Sequence, residues 1–132
     1  MGGQIQLLLD THALLWWLTR DARLSAAAST LISDESNSVH VSPVSAVEIA
    51  IKHRLGRLPH AAELISRFHE LMDERGFRLL TLSVDHGFRA GGYPGDHRDP
   101  FDRLLAAQAE LDELILLTRD PAFAAFPCET LW

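Results

Sequence analysis

Apolar positions along the chain fall into two patterns. Short continuous runs, "IQLLL" (5–9), "FRLLTLS" (77–83) and "LILLT" (114–118), suit strands buried on both faces, and "SVHVS" (38–42) alternates like a short strand. Longer segments carry helical spacing: "HALLWWL" after Asp10-Thr11, "RLSAAASTLIS" (23–33), "HAAELISRFHELMDERG" (60–76) with Leu64, Phe68 and Leu71 on one face, and "PFDRLLAAQAEL" (100–111). Punctuation sharpens some of these. Ser42 as N-cap with Pro43 at the first helical position opens "PVSAVEIAIKHRLGRL", which Gly56 can end, and Gly76 stops the segment that starts at residue 60. "VDHGFRAGG" reads as a short helix or turn, "YPGDHRD" (93–99) as loop, "PAFAAF" as a short helix and "CETLW" as a last strand.

Strands that alternate with helices, each strand nearly all apolar, imply a parallel sheet covered on both faces. The expected fold is a three-layer α/β/α sandwich with a central, mainly parallel sheet, formed as one domain over residues 1–132. In such open sheets, ligands bind beyond the carboxyl ends of the strands. That rule makes the acids after strands the first candidates for chemistry.

Asp10 ends "LLLD" and Asp120 ends "LILLTRD", so both fall on that edge. Each is also a credible helix N-cap, and the two roles do not exclude one another. Glu48 differs because it stands inside a helix, where no cap explains it. At about 100° per residue it falls within a stripe of Val44, Val47, Ile51 and Leu55, which turns a carboxylate toward the core side. Such a group needs a cation or must neutralise; the plain alternative is pairing with Lys52 one turn on. In "HRDPFDRLLAAQ", Asp99 before Pro100 suits an N-cap, and Asp102 then falls at the third helical position, free to project from the helix start or merely to complement its dipole.

Composition changes this picture little. With 132 residues, 47% apolar and 23% charged, the chain has enough apolar side chains for one real core and is neither disordered nor fibrous. No apolar run approaches the roughly 20 residues of a membrane span, and "MGGQIQLLLD" lacks a basic region followed by an apolar segment and a cleavage site, so the expected location is the cytoplasm. The single cysteine, Cys128, allows no internal disulfide, and no Cys/His grouping has zinc spacing. A net charge of −6 argues against a polyanionic partner, unless the acids gather divalent cations that set the local field instead. Asp10, Glu48, Asp102 and Asp120 are a candidate set of that kind, all oxygen donors, which suits Mg²⁺ or Mn²⁺ and phosphoryl transfer.

Four segments, "LLLDTHALLWWL", "VSAVEIAIKHRLGRL", "HRDPFDRLLAAQA" and "LLTRDPAF", resemble in order and spacing the PIN-domain ribonucleases, and among them the VapC-type toxins of toxin-antitoxin pairs. The resemblance spans most of the chain. It implies that Asp10, Glu48, Asp102 and Asp120 are catalytic and hold metal, with Thr118 and Asp99 as accessory residues. The implied reaction is hydrolysis of RNA phosphodiesters with Mg²⁺ or Mn²⁺, and the implied partners are RNA, a cognate antitoxin and a second copy of the chain. Arg98, Arg103, Arg119 and His97 lie beside the acids in sequence and are candidates for RNA phosphate, as are Arg54 and Arg57; solvated surface or ion pairing is the alternative for each. The other histidines receive no role. Of Trp16 and Trp17, one is expected in the core and the other at an interface. Cys128 and Trp132 are expected to pack the last strand. Three other functions compete: an RNA-processing PIN nuclease outside toxin-antitoxin systems, a silent binding module on the same fold, and a phosphoacceptor domain, which the lack of a lysine after a late strand disfavours.

Overall fold

The fold is set by β1 (Gln6–Leu9), whose Leu7, Leu8 and Leu9 are fully buried. The computed structural model describes residues 4–132. Successive strand side chains point to opposite faces, and here Leu7 and Leu9 enter one core cluster while Leu8 enters a second. A strand with no polar face needs cover on both sides, and the neighbouring elements supply it.

Following β1 come α1 (Thr11–Thr19), α2 (Ala26–Ser33), β2 (Ser38–Val41), α3 (Pro43–Arg54), α4 (Ala61–Ser66), α5 (Phe68–Arg75), β3 (Arg78–Leu79), α6 (Val84–Gly92), α7 (Pro100–Leu111) and β4 (Ile115–Leu117). A 3₁₀ turn (Pro121–Ala125) and β5 (Thr130–Leu131) complete the order. The strands form one sheet in the order β3-β2-β1-β4-β5, every pair parallel, with Leu7 opposite Val39 and Leu8 opposite Leu116. One face packs Leu14, Ala28, Ile32, Met72 and Phe77 from α1, α2, α5 and the segment after it. The other packs Ala90, Leu105, Ala106 and Ala109 from α6 and α7, the small alanines letting α7 lie close to the sheet. This is the expected α/β/α sandwich.

Several elements follow their punctuation. Ser42 caps α3 and Asp99 caps α7, each followed by proline at the first helical position. Past Arg54, Gly56 takes φ +68°, its N–H donates to the His53 carbonyl and the Arg57 N–H to the Lys52 carbonyl, a Schellman closure that ends α3 before Leu58. "VDHGFRAGG" is a full helix, closed at its start by Ser83 and His86 in a reciprocal capping box.

Other expectations need correction. The segment 60–76 is two helices, broken at Arg67 (φ −105°, ψ 11°), with Leu64, Phe68 and Leu71 still partly buried against one core. Nothing in the residues around Arg67 explains the break. "FRLLTLS" shrinks to the two-residue β3, because this outer strand has a neighbour on one side only, and Leu79 and Leu82 are exposed. Trp16 is the tryptophan in the core, as expected, and Trp17 is half-buried against Phe77. Cys128 and Trp132 pack against the two cores beside β5 as expected.

Removing the Leu8 side chain leaves a cavity between β1 and α7. Leu8→Ala should lower the unfolding free energy by about 2–5 kcal/mol, read as a shifted urea midpoint at unchanged slope.

Candidate active site at the carboxyl edge of the sheet

Because β1, β2 and β4 run parallel, Asp10, Ser42 and Thr118, the residues that follow them, share one edge. Helix α7 connects back to a parallel strand and so begins on that edge, carrying Asp99 and Asp102 at its start. Glu48 stands in the second turn of α3, which leaves the same edge after β2.

Asp10 is only 7% exposed. It caps α1 through the Ala13 N–H at 2.7 Å, and Thr118 Oγ1 donates to its other oxygen. Thr118 also accepts from the Asp120 N–H at 3.1 Å, so one hydroxyl orders both acids that follow β1 and β4. Asp120 is exposed and caps the 3₁₀ turn through Ala122 N–H. The dual role as cap and edge acid expected of Asp10 and Asp120 is the arrangement found.

The stripe assigned to α3 is not its buried face. Val47 and Leu55 are 46% and 47% exposed, whereas Val44, Ser45 and Ile49 are buried. Periodicity counted apolar types and passed over Ser45, a small polar residue seated against Thr11. Glu48, three residues on from Ser45, is half-buried at the border of that face. Its carboxylate accepts from Thr11 Oγ1 at 2.7 Å, and among the described residues it has no ion pair with Lys52. Thr11 has a single hydroxyl proton; spending it on ionised Glu48 makes Ser45 Oγ, 3.0 Å away, the donor to Thr11.

Asp99 caps α7 through the N–H groups of Phe101 and Asp102. Asp102, at the third helical position, pairs with His97 Nε2 at 2.9 Å, and the His97 ring stands edge-on to Phe126. Arg103 is spent on structure: Nε donates to the His97 carbonyl, and the other nitrogens to the carbonyls of Ala90, Tyr93 and Gly95. It ties down the 93–99 loop, which leaves no free guanidinium edge for phosphate. Arg98 is exposed.

Electrostatics link the acids. Burial raises the Asp10 carboxyl above its ordinary range, and the charge of Asp120 adds to this against the hydrogen bonds from Thr118 and Ala13. Burial likewise raises Glu48, helped by Asp102 and Asp99, and raises Asp102, helped by Asp99 and Asp120. The four acids therefore act on one another along this edge. They do not converge: among the described residues, no three His, Cys, Asp or Glu side chains close on a common point that would hold a metal ion. Each carboxylate is turned instead to its own donor, Thr118, Thr11, His97 or the Ala122 N–H.

Three residues with a part in this arrangement escaped the reading of the sequence, Thr11, Ser45 and Gln108, and Ser42, read there only as a cap, has a second part. Ser42 caps α3 through Val44 N–H and donates to the buried Gln108 amide, whose nitrogen reaches the Thr81 carbonyl. Gln108 thus ties α7 to the start of the helix that carries Glu48. A signal existed, since Ser45 and Gln108 are polar residues in otherwise apolar helix faces.

The PIN domain profile matches residues 7–127, and the chain belongs to the PIN domain family, whose members are nucleases. Its fold is similar to VapBC2 from Rickettsia felis bound to a promoter DNA fragment (TM-score 0.71, 14% identity, 96% of this chain and 98% of that one). It is also similar to VapBC-1 from nontypeable Haemophilus influenzae (0.65, 18% identity, 96% and 97%). A third similar structure is a toxin-antitoxin complex from Klebsiella pneumoniae (0.61, 20% identity, 96% of each chain). Comparison with curated proteins found no significant match.

Thr118→Val removes the hydroxyl that stabilises ionised Asp10. It should cost about 1–3 kcal/mol at neutral pH, and the loss should shrink as pH falls through the raised Asp10 pKa, because only the charged form depends on that donor. Denaturant unfolding of both proteins across pH 4–8 checks the sign.

Proposed function

We propose that the chain is a single-domain, metal-dependent endoribonuclease of the cytoplasm and the toxin of a toxin-antitoxin pair. The observation that carries the reading is the set Asp10, Glu48, Asp102 and Asp120: oxygen donors from four distant segments, on the edge where this fold binds ligands, with burial and mutual repulsion raising Asp10, Glu48 and Asp102. Such a set lacks positive charge, and hard oxygen ligands suit Mg²⁺ or Mn²⁺. The donor chemistry therefore suits a divalent cation, which these four acids, each turned here to its own donor, would hold only by swinging their carboxylates together.

A cation there supplies Lewis acidity, lowering the pKa of water and stabilising charge on the leaving oxygen of a phosphodiester. The chain's own residues position. Thr118 favours the ionised form of Asp10 and holds it in place, Thr11 with Ser45 behind it orients Glu48, and His97 aims Asp102. Asp99 acts through the start of α7 rather than on substrate.

The antitoxin half of the reading is supported by the toxin-antitoxin complex from Klebsiella pneumoniae among the similar folds. Dimer formation is supported by Val84 and Phe88, one turn apart on α6 and 73% and 77% exposed, an apolar face that a second copy would cover.

Purified protein, free of antitoxin, should cleave a mixed RNA pool with Mg²⁺ or Mn²⁺; EDTA or Asp10→Asn should abolish cleavage. Well-folded protein that neither cleaves RNA nor binds Mn²⁺ would overturn the reading. Stability gives a second check. A folded carboxyl pKa raised above 3.8 or 4.5 means that the folded state holds its proton longer than the unfolded state. Metal-free stability should then fall as pH rises through that window. Glu48→Gln and Asp102→Asn should raise the Tm of metal-free protein at pH 7 and remove the Tm gain from added Mn²⁺.

A further inference from the structure

His12 is an electrostatic neighbour of Asp10 and Glu48 rather than one of the acids, and it is the exposed end of an ordered aromatic stack. Its ring lies on Trp16 at a centroid distance of 5.5 Å and an interplanar angle of 27°. Trp16 is itself buried, held edge-on by Trp132 and covered by Arg119 at 4.5 Å and Arg23 at 4.9 Å. An exposed imidazole ordinarily samples several rotamers. This one has its plane set from beneath, which reduces the ordering cost when a flat ligand lands on its outer face.

Two recesses meet at this stack. One is lined by His12 and Trp16 together with Asp10, Asp120 and Arg119, so it opens onto the acidic edge. The other shares His12 and Trp16 and is lined on its far side by Lys52 and Arg57. The Schellman closure after α3 fixes the backbone positions from which these two side chains extend. In a chain of net charge −6, cations would be expected to be taken up by acids. Arg23 is: it grips Asp21 through two nitrogens and, with a smaller contribution from Arg119, lowers that carboxyl to about 2. Among the described residues, Arg119, Lys52 and Arg57 make no ion pair, nor do Arg20, Arg54, Arg78 and Arg98; what sets the first three apart is that they line the two recesses beside His12.

We propose that the His12–Trp16 stack, with Arg119 on one side and Lys52 and Arg57 on the other, seats an unpaired ribonucleotide next to the acidic edge. The base stacks on the free face of His12, and the cations take the flanking phosphates. Stacking on a flat side chain with cations along the backbone is how unpaired strands are held without base-edge readout. The inference rests on the nuclease reading for the identity of its ligand and deepens it by naming the residues that hold the base and its flanking phosphates.

The probe is a labelled, unpaired hexaribonucleotide, its binding to wild-type protein followed by anisotropy in Ca²⁺ over a range of salt, with cleavage in Mg²⁺ or Mn²⁺ run in parallel. His12→Ala should weaken binding about tenfold with the salt slope unchanged, and His12→Phe should restore it, as expected for stacking. Arg119→Gln and Lys52→Gln should each lower the slope of log K against log salt by about 0.7. Arg78→Gln, on the outer strand β3, should change nothing. If the His12 and Arg119 variants lose thermal stability but keep affinity, slope and KM, these residues only shield Trp16 and the proposal is overturned, while cleavage by wild type would leave the nuclease reading intact. Binding that responds to the variants without any cleavage would support the subsite and remove the nuclease reading. Wild-type protein that does not bind the probe also overturns the subsite.

Discussion

Directly after three fully buried leucines the chain places a carboxylate, Asp10, and must supply what water no longer does. Desolvating a charge is costly unless hydrogen bonds or a counter-charge replace the lost hydration. Here the Ala13 N–H and the Thr118 hydroxyl do part of this, yet the carboxyl remains raised. The same imbalance extends to Glu48 and Asp102, each half-buried and each facing other negative charges. A fold optimised for stability alone would not keep these acids together; their persistence on one edge is the physical reason to read that edge as a site.

Much of the architecture serves to hold this arrangement. The parallel sheet brings the ends of β1, β2 and β4 to one level, and α3 and α7 deliver acids that are far apart in sequence. Polar links then fix the delivery angles. The Ser42–Gln108 contact joins α3 to α7, and the fan of carbonyls around Arg103 fixes the loop leading to Asp102. The Ser42–Gln108 link is buried and therefore sensitive, since an unsatisfied partner inside the protein costs more than the bond itself contributes, whereas the Arg103 fan is only part-buried.

The elements legible in the sequence were those whose signal is local. Ser42-Pro43 and Asp99-Pro100 mark helix starts because capping chemistry involves adjacent residues, and "LLLD" reads as a buried strand with an acid at its end because burial on both faces removes alternation. What escaped depended on distant partners. The inward face of α3 is decided by Thr11 packing on Ser45, which no count of apolar residues within the helix reveals. Arg103 resembled a phosphate ligand by its place beside Asp102, while its real surroundings are carbonyls brought in by α6 and the following loop. His12 drew no attention because its stacking on Trp16 and the two recesses beside it exist only once α1 is folded against the 3₁₀ turn and the end of α3.

The most direct test of the central claim is calorimetric titration of the folded protein with Mn²⁺ at pH 7 and pH 5.5. If the acids on the sheet's carboxyl edge form a set short of positive charge, binding should weaken at the lower pH, release protons on association and be lost in Asp10→Asn. Binding that is independent of pH and unchanged in Asp10→Asn would contradict the account.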